Sequence, residues 1–233
     1  PRVVKVMGPG SLPVTVAQLE VQRFGTATQM ALGPTESLVI ADETADPQIL
    51  AADLLTEAEH GTDSCTLLVT TSKDLAAATE RALVEQLAAL PAVRAEAAAM
   101  SLGTNGGCVV VDNYRQATEV ANMFAPEHLQ VVVRGNVEAE VLNQLVNAGE
   151  ILIGQSTPFA AANFVIGCPA SLPTNGFARV SSGVTVDAFL KRTAVARASA
   201  EALGRLAPTI MALADVEGFP AHGNSLRRRF PHL

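Results

Sequence analysis

Two hydrophobic patterns alternate along the first half of this chain. Short apolar runs, Val3–Met7, Ser37–Ala41, Cys65–Thr70 and Cys108–Asp112, have the length and β-branched content of buried strands. Between them lie stretches of helical spacing: Pro13–Phe24, Pro47–His60, Lys73–Leu90 and Tyr114–Phe124. Asp46 is placed to cap the second of these helices, with Pro47 at its first position and Gly61 as its stop. Strand and helix in strict alternation predict βαβ units, hence an α/β fold with a largely parallel sheet. Further on, Leu129–Val133 and Ile151–Gly154 read as strands and Val137–Asn147 as a helix. Residues 155–183 are rich in Gly, Pro, Ser, Thr and Asn and show little periodicity, and an irregular segment of that length is more often functional than passive. Helical spacing returns over Ala198–Glu217, and His222 falls in or just before a final short helix.

Composition narrows the function classes. With 233 residues, 48% hydrophobic and 17% charged, the chain can bury a sizeable core and reads as a soluble protein, not a disordered one. No apolar run approaches the length of a membrane span and no export leader is visible. A net charge of -7 disfavours broad attraction to nucleic acid or anionic membrane. Arg227-Arg228-Arg229 reads as cations near a helix C-terminus. Cys65, Cys108 and Cys168 lack a Cys-x-x-Cys pattern and read as small buried residues of a reduced, cytoplasmic protein. The chain opens at Pro1 and enters an apolar run almost at once, as a piece of something longer or a processed or trimmed chain would.

Candidate chemistry gathers around the histidines. Phe124-Ala125-Pro126-Glu127-His128-Leu129 sets a carboxylate beside an imidazole directly after a proline. On a strand the two side chains point to opposite faces, whereas in a turn both reach one cavity. Glu57 and His60, three residues apart on a helix, share a face and are spaced to grip one metal ion; a solvated Glu and a capping His is the other reading. Gly8-Pro9-Gly10-Ser11, between a strand-like run and a helix, could present backbone N–H groups to a phosphate or be only a tight turn.

Several motifs in order resemble the histidinol dehydrogenase family. They are Lys5-Val6-Met7-Gly8-Pro9-Gly10, Gly33-Pro34-Thr35-Glu36-Ser37, Ala58-Glu59-His60-Gly61, Ala125-Pro126-Glu127-His128-Leu129 and Asn147-Ala148-Gly149. Leu172-Pro173-Thr174, Ser181-Ser182-Gly183, Asp187-Ala188-Phe189-Leu190-Lys191-Arg192-Thr193 and Glu217 to His222 follow. The resemblance implies NAD-dependent oxidation of L-histidinol, or a related amino alcohol, through the aldehyde to the acid, with zinc holding the substrate. It implies His128 as general base, Glu127 as activator of water, and Glu57, His60, Asn163 and His222 as zinc ligands. Thr35 and Glu217 would contact substrate, and Gly8, Pro9, Gly10 and Ser11 the cofactor. It also implies a homodimer with a shared site, completed by the C-terminal segment of the partner. The fold it implies is an incomplete Rossmann-like parallel sheet flanked by helices over 1–135, an active-site segment over 136–196, and a helical C-terminal arm over 197–233.

The sequence departs from the family at five positions. Glu57 stands for a glutamine ligand, Asn163 for an aspartate ligand, Ala170 for a histidine, Thr35 for a serine, and Ser11 for an asparagine. The charge of the ligand set is thereby moved, not changed in sum. The family's N-terminal portion, with much of its NAD site, has no counterpart ahead of Pro1. Two alternatives follow: a non-redox member that binds a small molecule or moves protons with Glu127 and His128, and a purely scaffolding dimer.

Overall fold

The strand-like runs from Ser37 onward become strands, and the first run does not. In the computed structural model, residues 1–28 and 32–231 are described. Over Val3–Met7 only Lys5 forms a β-bridge, to Ala27, and Val3 and Val4 stay exposed. The run meets another short extended segment instead of the sheet, so it gains too few partners to become a strand. Helix α1 (Leu12–Val21) follows and closes in a 3₁₀ turn at Gln22–Phe24.

From there the alternation is regular: β1 (Glu36–Ala41), α2 (Pro47–Ala58), β2 (Cys65–Thr70), α3 (Lys73–Leu87), α4 (Ala92–Met100) and β3 (Gly107–Val110). Then come α5 (Tyr114–Phe124), β4 (His128–Val132), α6 (Gly135–Gln144), β5 (Glu150–Ile153), α7 (Phe159–Phe164) and α8 (Val186–Phe189). The five strands are all parallel, in the order β3-β2-β1-β4-β5. This is the expected incomplete Rossmann-like sheet. The boundary expected near residue 135 runs through it, since β5 hydrogen-bonds to β4.

Strand alternation divides the core in two. Val39, Ala41, Leu68, Val132 and Leu152 face one side, where α2, α3 and α7 cover them with Leu50, Leu54, Leu75, Phe159 and Ala162. Leu38, Ile40, Val69, Leu129 and Val131 face the other, against Ala117 and Ala121 of α5 and Val141 of α6. Burying each of the larger side chains is worth roughly 1.5–3 kcal/mol.

Some local expectations need correction. The helix from Pro47 stops at Ala58, so His60 lies in the turn beyond it. Residues 155–183 are not wholly irregular, because α7 and a 3₁₀ turn at Phe177–Arg179 form there. Cys108 is exposed, on the edge strand β3, and Cys65 and Cys168 are half-buried. Among the described residues no helix is long and apolar enough to cross a membrane.

The chain divides into two compact units, Pro1–Leu190 and Lys191–Leu233. The second consists of α9 (Ala200–Val216) and α10 (Pro220–Arg229), which pack on each other. Arg227, Arg228 and Arg229 occupy the last turn of α10, where cations favour the helix dipole.

Candidate functional site

At the amino edge of the sheet the core-facing pattern changes from apolar to polar. The first rungs align Thr66, Ser37, His128 and Glu150 across β2, β1, β4 and β5. These residues share a face with Val39 and Leu152, so they lie on the side covered by α2 and α7. Helix α2 runs back toward this edge and delivers Glu57 in its last turn. Asn163 comes from α7, the helix whose Phe159 stacks edge-on against the His128 ring at 5.8 Å between centroids. Glu127 arrives from the turn after Pro126, just ahead of β4.

His128 stands at the centre of this arrangement and is buried. Its Nδ1 lies 2.6 Å from Glu150 Oε1. Its Nε2 lies 3.7 Å from Glu127 Oε1 and 3.9 Å from Glu57 Oε2. The turn geometry thus brings Glu127 and His128 to one place, which a continuous strand would not. Burial pushes the His128 imidazole down, and the hydrogen bond to Glu150 with the charges of Glu57, Glu127 and Glu150 outweighs it, so the net shift is upward. Burial pushes the Glu127 carboxyl up to about 7, against the pull of His128 and the Glu36 N–H, with Glu57 and Glu36 adding to the rise. Glu36, half-buried against the 174–176 loop, is also pushed up by desolvation, against hydrogen bonds from the Asn175 and Gly176 backbone and the charge of Arg179.

A cavity of about 670 Å³ opens onto these groups. Thr35, Glu57, His60, Glu127, His128 and Asn163 line it. Pro9, Gly10 and Ala170 reach it as well. Gly8 precedes Pro9 and Gly10 with φ +128, and Ser11 is the N-cap of α1, its side chain making no capping bond. Glu217, the C-cap of α9, and His222, in α10 with its ring 5.1 Å from Phe219, belong to the second unit. A second cavity, about 630 Å³ and mainly apolar, lies beside α3 and β3 and holds none of the candidate residues.

The donor set for a metal is partly assembled. Glu57 Oε2 is buried with no hydrogen-bond partner and lies 3.5 Å from His60 Nδ1. His60 Nδ1 is also 3.1 Å from the Thr56 carbonyl, which can only accept, so Nδ1 donates there and Nε2 is the ring nitrogen left for a ligand. A carbonyl holding one ring nitrogen while the other is left free is the usual setting of a metal-binding imidazole. Asn163 Nδ2 donates to Glu57 Oε1 at 2.8 Å. Among the described residues no group of three or more His, Cys, Asp or Glu forms a metal cluster. The orphaned oxygen and the free imidazole nitrogen fit one edge of a zinc shell, with the Asn163 carbonyl as a neutral third donor.

The dinucleotide test comes out differently at the two edges of the sheet. Strand order reverses between β1 and β4, where parallel sheets hold nucleotides at their carboxyl ends. Here the β1–α2 connection reads Asp42-Glu43-Thr44-Ala45-Asp46, with no glycine and three carboxylates, and Asp46 already caps α2 by accepting from the Gln48 and Ile49 N–H groups. Buried Asp42 fills the crevice, accepting from the Tyr114 hydroxyl at 2.8 Å, from the Arg134 N–H at 2.9 Å, and from Thr44. A pyrophosphate does not fit there. The start of α1 at Gly8–Ser11, whose N-cap side chain makes no capping bond, is a place where backbone N–H groups could meet a phosphate.

Sequence reasoning missed Glu150, Glu36 and the Asp42 network. Glu150 sits one residue ahead of the apolar run read as β5, and period-2 alternation with buried Leu152 is the signal that could have found it.

Comparison with known proteins gives a consistent result. The histidinol dehydrogenase family profile matches residues 1–230. A histidinol dehydrogenase from Synechocystis sp. is 42% identical over 228 residues, covering 98% of this chain and 52% of that protein. A histidinol dehydrogenase homolog from Colwellia psychrerythraea is 37% identical over 227 residues, covering 97% and 50%. The crystal structure of histidinol dehydrogenase from Elizabethkingia anophelis superposes with TM-score 0.94 at 35% identity, over 99% of this chain and 52% of that one. An acetylating aldehyde dehydrogenase from Geobacillus thermoglucosidasius shares the fold alone, at TM-score 0.52 and 15% identity over 84% of this chain and 57% of that one. This chain spans about half the length of the curated relatives it matches.

Proposed function

Because this chain belongs to the histidinol dehydrogenase family, we propose that it carries the proton-transfer half of an NAD-dependent oxidation of L-histidinol, or a related amino alcohol, through the aldehyde to the acid. The observation that supports this reading is the convergence of His128 Nε2, Glu127 and Glu57 on one cavity. Once neutral, His128, with Nδ1 held by Glu150, would accept the alcohol proton at Nε2, and NAD, when bound, would supply the hydride acceptor. Glu127, poised at about 7, takes a proton from the water that attacks the aldehyde in the second oxidation.

Zinc, when bound, would orient the substrate's amine and imidazole and polarise its oxygen. Glu57, His60 and Asn163 are the residues of the first unit that would hold it. The ammonium of an amino alcohol also suits a cavity with buried carboxylates and one unpartnered Glu57 oxygen. Thr35 lines the same cavity and would contact substrate. Gly8, Pro9, Gly10 and Ser11 would meet one phosphate of the cofactor. The roles that the resemblance gives His222 and Glu217, and the homodimer it implies, are parts of the same proposal.

The experiment is direct. Metal-free protein is titrated with zinc by calorimetry with and without L-histidinol, and NADH formation is followed on the same preparation. Tighter zinc binding in the presence of histidinol together with NADH formation is the expected result. Zinc binding that histidinol does not change would turn the search to other amino alcohols. Neither zinc binding nor NADH formation would favour the non-redox reading, which the carboxylate-filled crevice at Asp42 supports.

A further inference from the structure

Glu150 is an unusual residue for its position. It begins β5 on the core-facing side, two residues before buried Leu152, and is itself buried. A carboxylate there is costly unless something compensates it. Its Oε2 is buried and makes no hydrogen bond of its own, and the Cys168 thiol beside the carboxylate is only a weak donor, so little offsets the charge there. Its Oε1 is 2.6 Å from His128 Nδ1, across the first rung of the β4–β5 ladder, where the register pairs the two residues. With the carboxylate oxygen as acceptor, Nδ1 carries the hydrogen, so in the neutral ring the lone pair sits on Nε2, on the far side toward Glu57 and Glu127. Phe159, edge-on to the ring at an interplanar angle of 67°, limits its rotation from another side.

We propose that Glu150 is a positioning residue for His128, fixing the tautomer and ring rotation that present Nε2 to the cavity. The proposal rests on the reading of His128 as the base and deepens it. When the substrate's O–H bond breaks and the proton bonds to Nε2, the imidazolium so formed keeps its Nδ1–H on Glu150.

The test uses Glu150→Gln and Glu150→Asp in the full chain. Imidazole nitrogen NMR, with His128 assigned by its absence in His128→Gln, reads the tautomer without turnover, and steady-state kinetics with L-histidinol, NAD and zinc read kcat and KM separately. In E150Q the Nδ1–H signature of His128 is expected to be lost and kcat to fall about 100-fold, with KM within about threefold of the parent. E150D, which restores a carboxylate on a shorter arm, is expected to recover at least about tenfold of that loss. Parental tautomer signals and kcat in E150Q overturn the proposal, as does an E150D no better than E150Q, which would mark a structural role. A parent that shows the Nδ1–H signature, lost in E150Q, but oxidises no histidinol overturns the dehydrogenase reading and leaves Glu150 as the partner of His128.

Discussion

At the scale of single residues, the carboxylates of this protein have been given different tasks by their surroundings. Burial pushes the Asp42 carboxyl up, yet hydrogen bonds from the Thr44 hydroxyl, the Arg134 and Thr44 N–H groups and the Tyr114 hydroxyl outweigh it and hold it at about 2. A folded value below the unfolded one means that the stability Asp42 contributes is fully present above about pH 4 and is lost as pH falls toward about 2. Asp42→Asn is therefore expected to cost on the order of 2 kcal/mol at neutral pH, with the difference from the parent shrinking below about pH 4. Urea unfolding at a series of pH values checks this. Glu127 moves the opposite way, to about 7, because desolvation dominates and only part of it is offset. Both Glu127 and His128 must lose a proton before they can act as bases. Log kcat/KM for histidinol should then climb with a slope approaching about two per pH unit below neutrality. In Glu127→Gln the slope should fall to about one, at a lower plateau rate. A slope unchanged by the substitution would remove Glu127 from the rate-governing ionisations.

The elements show which features were legible in the sequence and which were not. Strands β1, β2, β4 and β5 announce themselves as apolar runs, and α5 lies where helical spacing placed it, with the structure adding Asn113 as a cap through the Gln116 N–H. Helix α4 and the π-helical turn at Ser101–Asn105 were not read. Glu127, His128, Glu57 and His60 were found because titratable side chains stand out in an apolar sequence. Glu150 was not, because its partner lies 22 residues away and only the sheet register joins them. Register also constrains the residue just before it. A Cβ on Gly149 would lie 2.5 Å from the Glu127 carbonyl oxygen and 3.2 Å from the Leu172 and Pro173 side chains. Gly149→Ala must displace the backbone that carries Glu127 and His128. It is expected to destabilise the fold by about 1–3 kcal/mol and to lower kcat by more than that loss explains, measured by thermal unfolding and by kinetics well below the midpoint.

For the molecule as a whole, the division into two units sets how it should unfold. The first unit has two core layers on a five-stranded sheet. The second has 43 residues by its bounds, Lys191–Leu233, and in it Ala207, Ala214, Gly223 and Leu226 are the buried residues of its two helices. Leu206, Leu213, Val216 and Phe219 are exposed. Chains of about that size seldom bury enough apolar surface to be stable by themselves. The hairpin should therefore lose its helices at lower denaturant than the sheet loses its core. One probe isolates the first unit: Tyr114 is the single tyrosine of a chain without tryptophan, and its hydroxyl is bound to Asp42. Far-ultraviolet circular dichroism reports the helices of both units. At low protein concentration the dichroism curve is expected to begin its fall before tyrosine fluorescence changes, and raising the concentration should draw the two together if a homodimer covers the exposed apolar residues. Coincident curves at every concentration would mean that the two units unfold as one cooperative body, and the separate-stability argument for the hairpin would fail.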